Sequence, residues 1–161
     1  MSSAISSFPD ETILRPARTD DVPAIHKLLQ AYADLGNLLP RDESELYRSL
    51  NDFTVITLGG RILACAALEV FTRELGEVRS LAVHPESGGT GLGRRLVEHL
   101  TTLAVEKGLK RLMALTYVPE FFEKMGFKVV PKDSLPEKVW GICVKCYKFQ
   151  HCDEIAVLKY L

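Results

Sequence analysis

The stretch Val78-Arg79-Ser80-Leu81-Ala82-Val83-His84-Pro85-Glu86-Ser87-Gly88-Gly89-Thr90-Gly91-Leu92-Gly93-Arg94-Arg95-Leu96 decides the fold. An apolar strand meets a proline stop, a turn dense in glycine follows, and an amphipathic helix opens after it. Gly88, Gly89, Gly91 and Gly93 lack a β-carbon, so the turn can take backbone angles closed to other residues and a bound group can approach its amides. A helix N-terminus offers free N–H groups and partial positive charge, which suit an anion such as a diphosphate. Arg94 and Arg95 add cationic donors in the first helical turn. The segment is therefore a phosphate cradle at a helix start.

Two common cradles do not fit. A P-loop needs Lys and Ser/Thr after its last glycine, whereas Gly93 is followed by two arginines. The dinucleotide fingerprint needs a third glycine three residues after the second; that place is Arg94 or Leu96, depending on the pair chosen. The segment resembles instead the acetyl-CoA site of the GNAT superfamily of N-acetyltransferases, whose pattern is an apolar strand followed by Gln/Arg-x-x-Gly-x-Gly/Ala opening a helix. Gly91 and Gly93 match that pattern, and Gly88 stands where the family has Gln or Arg. A plain surface turn joining strand to helix is the alternative. The resemblance implies that Gly88, Gly89, Thr90, Gly91, Leu92, Gly93 and Arg94 bind the cofactor. It also implies that the main chain of Leu81, Ala82 and Val83 pairs with the pantetheine arm and polarises the thioester.

The 161 residues suffice for one domain with a substantial core, and 47% apolar with 25% charged residues is ordinary for a soluble globular chain. A formal net charge of −1 gives no electrostatic case for nucleic acid or an anionic membrane surface. No apolar run approaches the roughly 20 residues of a spanning helix. Residues 1–10 read as a flexible tail, without the basic and apolar regions of a signal peptide, and residues 11–161 as a single domain in the cytoplasm.

The pattern alternates strand and helix. Thr12–Arg18 is a first strand, placed at a sheet edge by Pro16. Thr19-Asp20-Asp21 supplies N-caps for a helix with Val22, Ile25, Leu28 and Leu29 at helical spacing. A short helix covers Glu43–Leu50; strands Phe53–Leu58 and Arg61–Phe71 are joined by a Gly59-Gly60 hairpin. The signature strand runs from Glu77 to His84. The helix after the glycines buries Leu92, Leu96, Leu100, Leu103 and Ala104 and closes at Lys107-Gly108. Then come a strand Arg111–Leu115, a helix Pro119–Met125, and strands Phe127–Val130 and Glu154–Leu158. The GNAT resemblance supplies the topology for this α/β order: a mixed, strongly twisted sheet of six or seven strands with helices on both faces.

The similarity continues downstream in Leu115-Thr116-Tyr117-Val118-Pro119-Glu120-Phe121-Phe122-Glu123-Lys124-Met125-Gly126-Phe127. With Leu38-Leu39-Pro40-Arg41, Cys65-Ala66-Ala67-Leu68 and the cysteine-bearing tail, the chain resembles the short, stand-alone bacterial N-acetylglutamate synthases. That implies acetyl transfer from acetyl-CoA to the α-amine of an amino acid, glutamate first, with acetyl-CoA and a small amino acid as partners and a homodimer common among relatives.

The chemistry has identifiable carriers. A free α-amine is mostly protonated at neutral pH, so a base must take its proton. Glu77, on the strand leading into the cradle, is the candidate base; regular alternation places it on one face with Arg79, Leu81 and Val83. A solvated strand-end glutamate is the other reading. Many GNAT enzymes carry a tyrosine where this chain has Phe122, so Tyr117 is the candidate acid for the leaving thiolate, with a buried structural aromatic or water as alternatives. Two acceptor carboxylates would call for guanidinium groups. Arg41, Arg79 and Ser80 are the candidate substrate-binding residues, with structural ion pairs as the alternative for both arginines.

Cys65 reads as a small core residue. Cys143, Cys146 and Cys152, with His151, have spacing reminiscent of a zinc half-site, but adjacent His151 and Cys152 point to opposite faces of an extended segment. Reduced thiols and no metal are expected there, with structural zinc as the minority reading. Two other functions stay open: acetylation of another small amine or a protein N-terminus, and a non-catalytic acetyl-CoA sensor. A sensor needs the cradle but no base. A polyamine acceptor would need an acidic cluster that the sequence lacks.

Overall fold

The computed structural model describes residues 11–36, 41–135 and 154–161. Among these residues seven strands and four α-helices follow in the predicted order: β1 (Ile13–Pro16), α1 (Val22–Asp34), α2 (Glu43–Arg48), β2 (Phe53–Leu58), β3 (Arg61–Val70), β4 (Leu75–Val83), α3 (Leu92–Glu106), β5 (Arg111–Thr116), α4 (Pro119–Glu123), β6 (Lys128–Val130) and β7 (Ile155–Tyr160). The strands form one sheet in the order β1-β2-β3-β4-β5-β7-β6. β4 and β5 are parallel, while β1–β2, β2–β3, β5–β7 and β6–β7 are antiparallel, so the sheet is mixed. β1, with Pro16, lies at its edge, where a missing N–H removes no ladder bond.

The described residues form two compact units. The first contains those up to Ala67 together with Ser80–Val97. Val22, Ile25, Leu28 and Leu29 of α1 pack with Leu46 of α2 and with Phe53, Val55, Ile62, Cys65, Ala67 and Ala82 of the strands. Fully burying side chains of this size contributes about 1.5–3 kcal/mol each, so this cluster fixes α1 on β2 to β4. Gly59 and Gly60, at φ 58° and 82°, make the tight β2–β3 turn, with Leu58 opposite Arg61. The acidic N-cap expected at the start of α1 is used differently. The Asp21 carboxylate accepts from the Arg18 N–H at 2.7 Å and holds Arg15 through both oxygens, at 2.7 and 3.0 Å, instead of capping α1.

The second unit contains Leu68–Arg79 and the described residues from Glu98 onward. Leu75, Met113, Leu135, Ala156 and Leu158 form its core. β4 pairs with β5 over three residues only, Leu75–Glu77 against Arg111–Met113. The helix stripe is buried at Leu92, Leu96, Leu100 and Ala104, whereas Leu103 is half-buried. No helix among the described residues is long and apolar enough to cross a membrane.

Candidate active site

The glycine turn takes the conformation its composition predicts. Gly89 and Gly91 lie at φ 80° and 83°, in the left-handed region that side chains rarely enter, and a β-carbon there would meet open space. Their backbone, not crowding, demands glycine. Gly93 differs: it sits in the first turn of α3 without a positive φ, so α3 itself does not require a glycine there. Gly88 is extended, at φ −61° and ψ 140°. His84 shapes the entry to the turn: its Nδ1 accepts from the Glu86 N–H at 3.2 Å, and its own N–H donates to the Leu63 carbonyl at 2.7 Å. Arg94 and Arg95 are exposed beside the turn, with Arg95 donating to the Thr12 hydroxyl at 2.6 Å. A helix N-terminus with adjacent arginines is thus present as a place for a diphosphate.

β4 carries one residue outside the extended region. Ser80 lies at φ 56°, the one non-glycine residue with positive φ among those described. Burial still alternates on either side of it, with Val78, Ser80 and Ala82 buried and Arg79, Leu81 and Val83 half-buried. The left-handed conformation costs about 1–3 kcal/mol for a residue with a side chain and persists because its surroundings hold it. The Ser80 hydroxyl accepts from Arg41 Nη1 at 2.6 Å, and its carbonyl accepts from the Cys65 thiol at 3.5 Å. Burial pushes the Cys65 thiol up to about 12, so it stays protonated, a core residue as the sequence reading expected and not a nucleophile.

Arg41 is the centre of the first unit's polar cluster. Its guanidinium clasps the Glu45 carboxylate through Nε, at 2.7 Å, and through Nη2. It also donates to the Ser49 hydroxyl at 3.2 Å and lies 5.2 Å from the Phe53 ring centroid. Its side chain is only 8% exposed. A planar guanidinium held in a two-oxygen grip is a site shaped for a carboxylate, and Glu45 is the carboxylate in it.

The second unit contributes the ionisable pair on β4. Glu77 is 3% exposed, which excludes the solvated strand-end reading. Its carboxylate lies 3.7 Å from Arg79 Nε, and Arg79 Nη1 reaches both oxygens of Glu69, at 3.0 and 3.2 Å. A buried carboxylate needs such a counter-charge. Arg79 is therefore committed to two carboxylates of this chain. Tyr117, after the end of β5, is 36% exposed, so it is not the buried aromatic that the sequence also allowed. The cysteine-bearing tail and Leu38-Leu39-Pro40 lie outside the described residues, and no group of three or more metal-ligating side chains gathers among those described.

Sequence reasoning missed Tyr32. Its hydroxyl donates to the Val83 carbonyl at 2.9 Å and accepts from the Val83 N–H at 3.0 Å. Tyr32 continues the apolar stripe of α1 at helical spacing, so it reads as core; nothing local encodes a partner 51 residues away.

The description "Acetyltransferase (GNAT) domain" matches residues 49–129, half the chain, including β4, the glycine turn and α3. The chain belongs to the GNAT acetyltransferase family. It is 37% identical over 151 residues to an uncharacterised N-acetyltransferase of Chlorobaculum tepidum, covering 94% of this chain and 97% of that one. It is 35% identical over 138 residues to an amino-acid acetyltransferase of Mycobacterium tuberculosis, covering 84% and 79%. The N-acetylglutamate synthase of Neisseria gonorrhoeae, complexed with coenzyme A and N-acetyl-glutamate, superposes with a TM-score of 0.84 at 30% identity. That match covers 93% of this GNAT chain and 35% of the synthase. The Gly88 departure from the family pattern thus leaves the family assignment intact.

Proposed function

We propose that this GNAT domain transfers the acetyl group of acetyl-CoA to the α-amine of a free amino acid, with glutamate the preferred acceptor. The observation that carries the proposal is Glu77: a buried carboxylate, counter-charged by Arg79, on the strand that runs into the glycine turn. A cofactor sensor has no use for such a group. The named relatives support the acceptor class, because amino-acid acetyltransferase and N-acetylglutamate synthase are the names of proteins at least 30% identical to it.

In this reading the glycine turn and the N-terminus of α3 take the diphosphate, with Gly88 to Gly93 and Arg94 as its lining, and the main chain of Leu81 to Val83 takes the pantetheine arm. Glu77 accepts a proton from the acceptor ammonium. The amine nitrogen then forms a bond to the thioester carbon while the carbon–sulfur bond breaks. The thiolate leaves with the bonding pair and takes a proton from the Tyr117 phenol or from water, and the acylated nitrogen gives up its second proton to the resulting phenolate or to water, leaving the neutral amide. Arg41 holds an acceptor carboxylate in place of Glu45, steadied by Ser80, and Arg79 holds Glu77 in position. The chain spans a third of the gonococcal synthase it resembles, so any further property of that longer protein lies outside the proposal.

Thiol release from acetyl-CoA, measured against amino acids, polyamines and a short peptide with a no-acceptor blank for the protein's own cysteines, tests this directly. Turnover led by glutamate supports it. Turnover confined to polyamines or the peptide overturns the acceptor, and tight acetyl-CoA binding without turnover overturns the enzyme.

A further inference from the structure

The hydroxyl of Tyr32 makes an unusual pair of contacts. One phenol oxygen serves both main-chain groups of a single residue, donating to the Val83 carbonyl at 2.9 Å and accepting from its N–H at 3.0 Å. The N–H and C=O of a strand residue point to the same side, and those of its neighbour to the other. The His84 N–H is bonded to Leu63 of β3 at 2.7 Å, so the Val83 pair faces away from β3. The β4–β5 ladder covers only Leu75–Glu77. Val83 therefore ends β4 with a donor and an acceptor that no strand satisfies, and the Tyr32 phenol supplies both partners.

We infer that Tyr32 is a displaceable plug on β4, occupying the Val83 main-chain edge until an amide of the pantetheine arm takes its place. The role presupposes that acetyl-CoA runs along β4 into the glycine turn, as proposed above. An amide offers the same complement as the phenol: its N–H donates to the Val83 carbonyl and its oxygen accepts from the Val83 N–H. The exchange conserves hydrogen bonds at the half-buried Val83 edge. Tyr32 can yield because it is half-buried and two residues from the end of α1 at Asp34, so its freed hydroxyl can turn toward water. Polar groups of the unplugged edge would otherwise stay unpaired whenever the cofactor is absent. Breaking two bonds to Tyr32 is a cost that binding must meet, so the plug also sets the affinity for the arm.

Tyr32→Phe separates this from a merely structural tyrosine. The variant keeps the ring in the apolar cluster and removes only the hydroxyl. Calorimetry is run with coenzyme A and with adenosine 3′-phosphate 5′-diphosphate, the nucleotide half that has no pantetheine arm. The plug predicts roughly 3- to 10-fold tighter binding of coenzyme A by Tyr32→Phe and an unchanged affinity for the armless nucleotide. Unchanged or weaker coenzyme A binding by a variant that melts normally overturns it, as does tightening that is equal for both ligands. Gly93→Val distinguishes a failure of the plug from a failure of the cofactor reading. If the wild-type chain binds coenzyme A and Gly93→Val weakens that binding, but Tyr32→Phe does not tighten it, the cradle stands and the plug falls. If the wild-type chain does not bind coenzyme A at all, both fall together.

Discussion

The two ends of β4 work in different currencies. At Glu77 and Arg79 the strand presents a buried carboxylate and a half-buried guanidinium paired with each other, the guanidinium also reaching Glu69. From Ser80 to Val83 it presents backbone, a left-handed serine and a Val83 edge held by Tyr32, and the turn that follows adds glycines at φ 80° and 83°. In the proposed function the first end does proton chemistry, which only side chains supply, and the second receives an extended, phosphate-bearing ligand, which main-chain amides serve well. The lesson for experiment is that substitutions at the first end should change rate and pH response, whereas those at the second should change affinity and stability.

Glu77→Gln is the severest break. Loss of a general base typically costs 10²- to 10⁴-fold, and kcat should fall by roughly that factor while the Kd for acetyl-CoA holds. Parallel loss of both would erase the distinction between the two ends. Next is Gly93→Val. Valine is a better helix former than glycine, so melting should be unaffected, yet a side chain there should weaken coenzyme A binding roughly 10- to 100-fold, about 1.4–2.7 kcal/mol. Unchanged affinity would remove the close approach to Gly93 from the account.

Ser80 sharpens the boundary between the ends. A β-branched residue at φ 56° is strained, so Ser80→Val should lower stability by about 1–3 kcal/mol in chemical denaturation, while Ser80→Gly keeps the left-handed backbone and loses only the hydroxyl held by Arg41. Equal stability for the two variants would show that the left-handed conformation is not maintained.

The smallest effect is expected away from both ends, at Asp21. Hydrogen bonding from Arg15 holds its carboxyl below the ordinary carboxylate value, against some desolvation. A carboxyl with a lowered folded-state pKa stabilises the fold above its unfolded value and loses that contribution as pH falls through the folded one. Asp21→Asn should therefore cost about 1 kcal/mol at neutral pH and progressively less below the ordinary carboxylate range. A cost that does not shrink in acid would show that the Arg15 pair is not its source.

This contrast also explains what the sequence could and could not reveal. Hydrophobic periodicity located the four helices and seven strands, because each is built from local spacing: Val22, Ile25, Leu28 and Leu29 on α1, and the Gly59-Gly60 turn between β2 and β3. The glycine turn was legible because left-handed φ has a compositional signature. Glu77 was nominated from its position, and its burial then removed the solvated alternative. What stayed hidden was pairing at long range. That Arg41 reaches Ser80 and that Tyr32 serves Val83 are facts of tertiary placement, whereas an ion pair was an open alternative for each arginine, and the Arg41–Glu45 clasp is local, four residues apart. The left-handed Ser80 was hidden for a different reason: serine carries no compositional signature of positive φ.

The claim on which the account turns is that Glu77 takes the acceptor's proton, and the pH dependence of Glu77→Gln against the wild-type chain tests it most directly. At low pH the acceptor is an ammonium ion and needs a base; as pH rises toward the ammonium's own pKa, a growing fraction arrives already neutral. The account predicts that the ratio of wild-type to Glu77→Gln kcat/KM is largest at low pH and shrinks steadily as pH rises. A ratio that stays constant across the range would contradict it, leaving Glu77 a buried partner of Arg79 and the proton to be removed elsewhere.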